Sequence, residues 1–494
     1  MAHAHHLQSP GASLTRRHWA IYITAAVLVA SLGAAAVFGD ATIIMVAPMG
    51  LALAATALLQ PFAVYVVMLC MLSIVPIESS FFTLYIPNWL QAVIPALLLG
   101  TVLYNVVHRE RKAFSANWAD VFVVGFIVIG YLGVFREPGS VSYKFFTNQQ
   151  VFPALMYFIA KWLPIDRERF RSQLRLQLFS VTLLSLIMVG QVVTGFDPVY
   201  HGFSFLGLGG LARGPMWSIS DTVAYTSVWP VFFVYALATG LPALGRRRRT
   251  FWGVGLALAI LATLATTERT GPVAVLAAFA IAMLHPRMGK YVMMTGLAAL
   301  IIAPLWLVSP AGRHVATRMK TVKEQGAGFE RIIYRDKALR YTRSPLWNPV
   351  WGTGFGRINE LAGKTIPEDD WVYDYNWGEF RLRKDFASRP THCAPVTLYA
   401  EYGYGGMLML TLAGVMIAAG LVRTGRVARR MGGRVDTALV LAGTGALVTV
   451  LVNGVLHNTE AVVEVLILLW SFGGMVVGHP EVFVMPRRAD QSQA

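Results

Sequence analysis

Three residues place a charged or ionisable side chain at the boundary of an apolar segment. Such a side chain costs free energy there unless it has a partner. Arg213 comes just before an apolar segment, Arg269 lies between two apolar segments, and His392 precedes Pro395 and another such segment. A guanidinium group offers fixed, bidentate donors to a phosphate. A histidine can act as a general base near neutral pH. These residue types predict a site that binds an anionic group and removes a proton.

Each of these residues also has a structural interpretation. An arginine at a membrane boundary can snorkel and so set the depth of its helix. His392 can start a helix through a structural hydrogen bond, and His314 and His457 are weaker candidates for the base. The histidines, cysteines and acidic residues show no zinc-like spacing, and the sequence has no Asp-X-Asp pair for a metal-bound nucleotide sugar. We therefore expect metal-independent chemistry and no cofactor.

A glycine cluster, Gly352-Thr353-Gly354-Phe355-Gly356, is the second feature of interest. Glycines let the backbone approach a ligand and can present N–H groups to an anion, although a simple tight turn would look the same. The cluster lacks the strand and helix context of a dinucleotide or P-loop site. Supporting positions for the site are expected at Gly354, Gly356, Glu401, Asp221 and Arg343.

Composition defines the setting of these residues. The chain is 55% hydrophobic and only 14% charged, whereas soluble domains are roughly 25% charged. The net charge of +16 comes largely from arginine clusters between apolar segments. That pattern is typical of cytoplasmic loops in membrane proteins, so we expect membrane lipid and not nucleic acid as a partner. Cys70 lies in an apolar segment and Cys393 does not, so a disulfide is not expected.

The apolar segments predict an all-α polytopic membrane protein with about 12–14 transmembrane helices. The candidate spans are 19–38, 41–59, 61–77, 86–107, 119–136, 150–164, 173–195, 221–243, 251–267, 271–285, 290–308, 394–422, 438–455 and 459–478.

An even number of these spans separates each neighbouring pair of short basic connectors, which predicts cytoplasmic N- and C-termini. The run 19–38 is longer than a signal core and lacks a clear cleavage site, so we expect a retained anchor. The predicted domains are a cytoplasmic tail (1–18), a first transmembrane part (19–308), a periplasmic loop or lid (309–393), C-terminal transmembrane helices (394–478) and a cytoplasmic tail (479–494).

The loop 309–393 has its own predicted elements. Residues 329–343 read as a helix with Leu339 on its apolar side and Arg335 and Arg340 on the other. Residues 364–389 mix charges with tryptophan and predict an irregular lid.

The order of these features resembles the bacterial superfamily of O-antigen ligases and polymerases, which are C-type membrane glycosyltransferases. That family shows an arginine-glycine motif before a span, an arginine between two spans, and a long periplasmic loop. The loop carries a helix, a proline, a glycine turn and a histidine that leads into a Leu…Glu-X-Gly helix. The matching residues are Arg213-Gly214, Arg269-Thr270-Gly271, Glu330 to Arg343, Pro345, Gly352 to Gly356, His392, and Leu398 to Gly406.

The resemblance implies an inverting glycosyltransferase of the bacterial inner membrane whose active site faces the periplasm. Arg213 and Arg269 would bind the diphosphate of an undecaprenyl-diphosphate-linked glycan, and His392 would be the catalytic base. The acceptor would be lipid A–core for a ligase or a second lipid-linked glycan for a polymerase. The loop arrangement slightly favours the ligase.

Two other classes stay open. A polysaccharide transporter or flippase would place ionisable residues near the middle of the membrane, whereas the lone arginines here lie at one boundary. A cell-wall polymerase of the shape-and-division type would rely on an extracytoplasmic aspartate, which draws attention to Asp221, Asp369, Asp370 and Asp374.

Overall fold

The computed structural model describes the part of the chain that contains most of the predicted spans. The described residues are 56–57, 59–73, 79–81, 84–86, 89–108, 114–135, 143, 146–194, 196–197, 204–205, 219–242, 248–266, 268, 270–308, 313, 335–345, 347–358, 361, 371–374, 379–382, 393–456 and 462–485. The predicted span 19–38, nearly all of 41–59, and both predicted tails lie outside this set, apart from the first residues of 479–494.

Within the described residues, the chain is mostly helical. The α-helices are α1 (Pro61–Met71), α2 (Leu90–Val107), α3 (Trp118–Phe135), α4 (Phe152–Trp162), α5 (Arg167–Thr194), α6 (Ile219–Thr226), α7 (Pro230–Thr239), α8 (Arg248–Ala265), α9 (Thr270–Ala282), α10 (Pro286–Val308), α11 (Ala394–Arg430), α12 (Thr437–Leu456) and α13 (Val463–Gly478). A π-helical turn (Thr147–Val151) precedes α4, and a 3₁₀ turn (Pro480–Phe483) follows α13.

Every predicted span from 61–77 onward overlaps one of these helices or a consecutive pair of them. Proline stands in the first turn of several, where its missing N–H costs nothing and its fixed φ suits a helix. These prolines are Pro61, Pro153, Pro230, Pro286 and Pro395. The apolar runs predict the helices, and in these five the proline marks the first turn.

Among the described residues, seven helices are long and apolar enough to cross a membrane. They are Leu90–Val107, Trp118–Phe135, Arg167–Val192, Thr222–Thr239, Arg248–Ala265, Ala394–Arg430 and Thr437–Val455, and the shorter apolar helices are Pro61–Met71, Thr270–Ala282 and Val463–Gly478. The protein is therefore a multi-pass membrane protein, as predicted.

Among the described residues, the strands form four short antiparallel pairs. They pair β1 (Ser79–Phe81) with β2 (Leu84–Ile86), β3 (Phe196–Asp197) with β4 (Ser204–Phe205), β5 (Trp371–Asp374) with β6 (Glu379–Leu382), and β7 (Arg434–Val435) with β8 (Val484–Met485). The β5–β6 hairpin lies within 364–389, so the prediction of an irregular lid is wrong for the residues in these two strands. Strand propensity favours this pairing, because β5 contains Trp371, Val372 and Tyr373 and β6 contains Phe380.

One end of the bundle is held by two ion pairs, and we call it the clasp end. Lys161 Nζ lies 2.5 Å from Asp120 Oδ2, and it also donates to the Ser115 carbonyl. Arg167 binds Asp436, a side chain with no exposed area. Each pair joins elements that are distant in sequence, so ion pairs as well as apolar contacts hold the helices together at this end.

Close helix contact in the bundle depends on small residues. A Cβ at Gly474 in α13 would lie 2.1 Å from the carbonyl oxygen of Tyr157 in α4. In membranes, glycine at such a position lets helix backbones approach closely. The ring of Phe126 in α3 stacks on Tyr402 in α11, with centroids 5.0 Å apart, and lies tilted 6.3 Å from Trp470 in α13. The core therefore runs along the bundle toward the end opposite the clasp.

Candidate functional site

The end opposite the clasp, which we call the loop end, is organised around a break in α11. Gly403 has φ 61° and ψ −167°, so the helical hydrogen bonds are interrupted there. The loop supplies replacements on one side of the break. Tyr404 N donates to the Pro349 carbonyl at 2.7 Å, and Gly405 N donates to the Val350 carbonyl at 2.9 Å.

The loop also caps the carbonyls before the break. The Ala400 carbonyl accepts hydrogen bonds from Thr353 N at 3.0 Å and from the Trp347 indole N–H at 2.9 Å. The Glu401 carbonyl accepts one from Gly354 N at 3.0 Å. Because buried backbone groups need partners, the loop segment 347–357 and the start of α11 complete each other and form one structural unit.

The predicted glycine cluster is the part of the loop that makes this contact. Gly352, Gly354 and Gly356 all have φ between 68° and 83°, which disfavours other residues. Two of them also need the absence of a side chain. A Cβ at Gly352 would lie 2.4 Å from the Glu401 carbonyl carbon, and one at Gly354 would lie 2.6 Å from the Gly133 carbonyl oxygen. The cluster thus fits between α11 and the end of α3.

Glu401 holds the same turn through its side chain. It is only 3% exposed, and Oε1 accepts a hydrogen bond from Gly356 N at 2.9 Å. The amides of Thr353, Gly354 and Gly356 therefore all donate to α11. In this arrangement the glycine cluster and Glu401 position the loop, and those amides already have acceptors.

The variants Gly354→Ala and Gly356→Ala distinguish the two reasons for glycine in this cluster, which are the positive φ and the close approach to backbone. Both substitutions place alanine at positive φ, which costs about 1–2 kcal/mol. Only the Cβ at position 354 meets backbone, while that at position 356 meets nothing within 4 Å. We expect Gly354→Ala to lower the melting temperature of the purified protein clearly more than Gly356→Ala. Equal shifts would show that close packing against α3 contributes nothing.

A helical segment of the loop, residues 335–341, packs beside this unit. Ala338 and Tyr341 are buried in a small apolar cluster with Ala400 of α11. At the other side, the Arg335 guanidinium donates to the Val455 carbonyl near the end of α12 at 3.0 Å. The segment therefore connects the start of α11, which follows His392, with the end of α12.

The orientation of this segment differs from the sequence prediction. Leu339, expected on the apolar side, is 36% exposed, whereas Lys337 has no exposed area. The helix prediction itself is correct for residues 335–341. Its buried face contains Ala338 and Tyr341, which belong to the same apolar cluster as Ala400. Lys337 is buried together with these two residues.

Burial lowers the pKa of Lys337 from 10.5 to about 7. Between these values a released, solvated Lys337 binds more protons than the docked one, so docking should become more stable as pH rises from about 7 to about 10.5. We expect hydrogen exchange in 335–341, corrected for its intrinsic rate, to slow across this window. Lys337→Met should remove that dependence, and an unchanged slope in this variant would contradict the assignment.

The sequence neighbours of Arg269 also lie at the loop end, against α6. A Cβ at Gly271, at the start of α9, would lie 2.4 Å from Val223 Cγ2 in α6. Thr263, near the end of α8, donates to Thr226 Oγ1 at 3.4 Å. The two helices that flank Arg269, α8 and α9, therefore pack against the helix that follows Arg213.

Helix α12 links this pair of helices to the loop. Asn453, fully buried, donates through Nδ2 to Ser227 Oγ at 2.9 Å. Thr449 donates to the Ala274 carbonyl of α9 at 3.4 Å. The same helix accepts the hydrogen bond from Arg335 in the loop. A continuous row of contacts thus runs from α6 and α9 through α12 to the start of α11.

Arg213, Arg269 and His392 themselves lie outside the described residues. Their described neighbours are Glu268, which is half-buried, Thr270, which is buried, and Cys393, which is 7% exposed. Asp221 is part of α6, and its side chain is not among those described. Arg343 is exposed just after the loop helix and is separate from the glycine contact. Gly354, Gly356 and Glu401 meet directly.

Sequence reasoning missed two buried residues at this end, Lys337 and Asn453. The burial of Asn453 could have been predicted, because an amide in an apolar span needs an interior partner. The burial of Lys337 could not have been predicted, because its neighbours Asp336 and Arg340 are typical of a solvated helix face. These two residues form an i,i+4 ion pair at 2.7 Å.

No protein-family model matches the chain, and a search of curated proteins finds no significant match. Fold and composition define a multi-pass membrane protein. Assignment to a narrower class depends on the motifs and on the arrangement of the loop end.

Proposed function

We propose that the protein is a metal-independent, inverting glycosyltransferase that moves a glycan from undecaprenyl diphosphate to an acceptor hydroxyl. The observation that supports this proposal is the contact, at the loop end, among the helices that follow the three connectors. Helices α6 and α9, whose connectors contain Arg213 and Arg269, contact α12, and α12 contacts the loop that docks on the start of α11. His392 lies two residues before that helix.

The proposed reaction uses the chemistry of these residues. The acceptor oxygen attacks the anomeric carbon, the bond to the diphosphate breaks, and undecaprenyl diphosphate leaves with the bonding electrons. Arg213 and Arg269 stabilise the negative charge that develops on the leaving group. His392 takes the proton of the acceptor hydroxyl. A phosphate leaving group stabilised by arginines needs no metal ion.

The distribution of charge supports a periplasmic location for this site. Short basic connectors adjoin the clasp end and include Arg248 at the start of α8, Arg287 at the start of α10 and Arg430 at the end of α11. Cytoplasmic loops are enriched in such residues. The clasp end is therefore proposed to face the cytoplasm of a bacterial inner membrane, and the loop end the periplasm.

The test is transfer by the purified protein in detergent. Undecaprenyl-diphosphate glycan is supplied with either lipid A–core or a second lipid-linked glycan, in the presence of a metal chelator. Product on lipid A–core identifies a ligase, which we favour slightly. A ladder on the lipid carrier identifies a polymerase. Lack of transfer to both acceptors by a monodisperse, folded protein would contradict the proposal.

A transporter or flippase is the second candidate, and one observation favours it. The span that contains α6 and α7 is broken at Ser227–Trp229, because Pro230 cannot continue the α6 hydrogen bonds. Broken helices occur in transporters at their binding sites. Movement of a labelled lipid-linked glycan across proteoliposomes, without any new glycosidic bond, would select this candidate.

A further inference from the structure

Helix α11 presents a stripe of large exposed side chains beyond the break at Gly403. Its four members are 54–73% exposed, and they are Tyr404, Leu408, Val415 and Val422. Their spacings of four, seven and seven residues put them on one face of the helix. The opposite face meets the bundle, since Ala413 is buried and a Cβ at Gly420 would lie 2.9 Å from Val476 Cγ1 in α13. Because α11 is long and apolar enough to cross a membrane, we call these four residues the lipid-facing stripe.

The lipid-facing stripe continues into a group of arginines at the clasp end. The same spacings lead from Val422 to Arg426, four residues on, and to Arg429, seven residues on, and Arg430 follows directly. All three arginines are exposed, whereas Ala428 on the opposite side is 3% exposed. We call the three residues the arginine strip. Its charges therefore lie on the same side of α11 as the apolar side chains that contact lipid.

The length of α11 places the arginine strip at the level of lipid head groups. Arg426 lies 22 residues after Tyr404, which is about 33 Å along an α-helix at 1.5 Å per residue. The hydrocarbon core of a bilayer is about 30 Å thick. Tyr404, whose ring lies 5.9 Å from that of Trp347, marks one boundary, because tyrosine and tryptophan are enriched there. The arginine strip lies at the other boundary, level with the phosphate groups of the lipids.

The arginine strip is also held in place and available for an anion. Among the described residues, none of its three members forms an ion pair. The next acidic residue along the chain, Asp436, is already bound by Arg167. The helix ends at Gly432, which has φ 62°, and Gly433 N donates to the Ala428 carbonyl at 2.9 Å. Strand β7 then pairs with β8, so the end of α11 is fixed and little backbone order has to be gained on binding.

We propose that the arginine strip binds the head group of an anionic phospholipid whose acyl chains lie along the lipid-facing stripe. A guanidinium group gives bidentate donors to a phosphate, and the apolar side chains next to it contact hydrocarbon. Basic residues that only set the orientation of the chain in the membrane need no particular face of the helix, whereas these arginines are aligned with the stripe. This lipid site is independent of the glycan transfer proposed above, because it involves none of Arg213, Arg269 or His392.

The test uses phosphatidylglycerol with a diazirine in one acyl chain, crosslinked to the purified, delipidated protein, and the labelled peptides are identified by mass spectrometry. We expect saturable labelling of α11 that unlabelled phosphatidylglycerol displaces and phosphatidylcholine with the same acyl chains does not. Equal displacement by both lipids would overturn the proposal, as would labelling confined to other helices. Displacement by inorganic phosphate alone would indicate a site for soluble anions and would also overturn it.

The triple variant Arg426→Gln/Arg429→Gln/Arg430→Gln removes the arginine strip. Each arginine near an anionic membrane surface raises affinity about fivefold. The lipid concentration for half-maximal labelling of α11 should therefore rise about 100-fold in the triple variant. If this variant does not insert into the membrane, Arg426→Gln alone should raise that concentration about fivefold. An unchanged concentration in either inserted variant would contradict the proposal.

The matched control is the triple variant Arg248→Gln/Arg249→Gln/Arg287→Gln. It removes the same number of exposed arginines at the clasp end, from α8 and α10. We expect it to label α11 at the wild-type lipid concentration. An equal loss in this control would show that the overall charge of the clasp end, and not the arginine strip, attracts the lipid.

Discussion

Arg269→Ala is expected to reduce glycan transfer by about 100- to 1,000-fold, the usual loss when one preorganised donor to a developing anion is removed. Arg213→Ala should have an effect of similar size. Both residues would act on the leaving diphosphate, so the loss should fall on the chemical step. Single-turnover rates at saturating lipid-linked donor measure it.

Arg248→Ala provides the matched control for both arginine variants. Arg248 also stands at the end of a membrane helix, but it is exposed and lies at the clasp end. Its removal should leave the single-turnover rate unchanged. If Arg269→Ala and Arg213→Ala also transfer glycan at the wild-type rate while bound in the membrane, their role as a diphosphate clamp is wrong.

His392→Ala is expected to lower the rate by about 100- to 10,000-fold, the range attributed to general base catalysis. A base must be unprotonated to accept the acceptor proton, so the wild-type rate should fall on acidification. The variant should lose this acidic limb as well as the rate. The pH dependence distinguishes loss of a base from a general disturbance of the loop.

The control for this variant is His108→Ala. His108 is exposed at the end of α2, where it stacks on Tyr104 at 4.1 Å. We expect wild-type rates and an unchanged pH profile from it. A full rate in His392→Ala, with the acidic limb intact, would show that the base is another residue.

The sequence was sufficient for the features that depend on local pattern. Apolar runs predicted the helices from α1 onward, and the Gly-X-Gly-X-Gly spacing predicted a special backbone at 352–356. The partners of that backbone were not predictable. The contact of Gly354 with Gly133 joins residues more than 200 positions apart, and no local property of either encodes it.

The burial of Lys337 was hidden for a different reason. Amphipathic periodicity assigns faces by average polarity, and the segment 335–341 contains four charged residues in its first six positions. The buried face depends instead on Ala338 and Tyr341 meeting Ala400 across the loop. A tertiary contact thus determines which face of this helix is buried, although the local sequence is sufficient to predict the helix itself.

The interruption at Gly403 divides α11 into a short first segment, 394–402, and a long remainder. The short segment is hydrogen-bonded to the loop by the carbonyls of Ala400 and Glu401, just ahead of the interruption. The loop also accepts hydrogen bonds from Tyr404 N and Gly405 N just beyond the interruption, so it fixes the angle between the two parts of α11. A molecule that displaced 347–357 would shift His392 relative to the rest of the bundle, so acceptor docking and the alignment of the base would be mechanically linked.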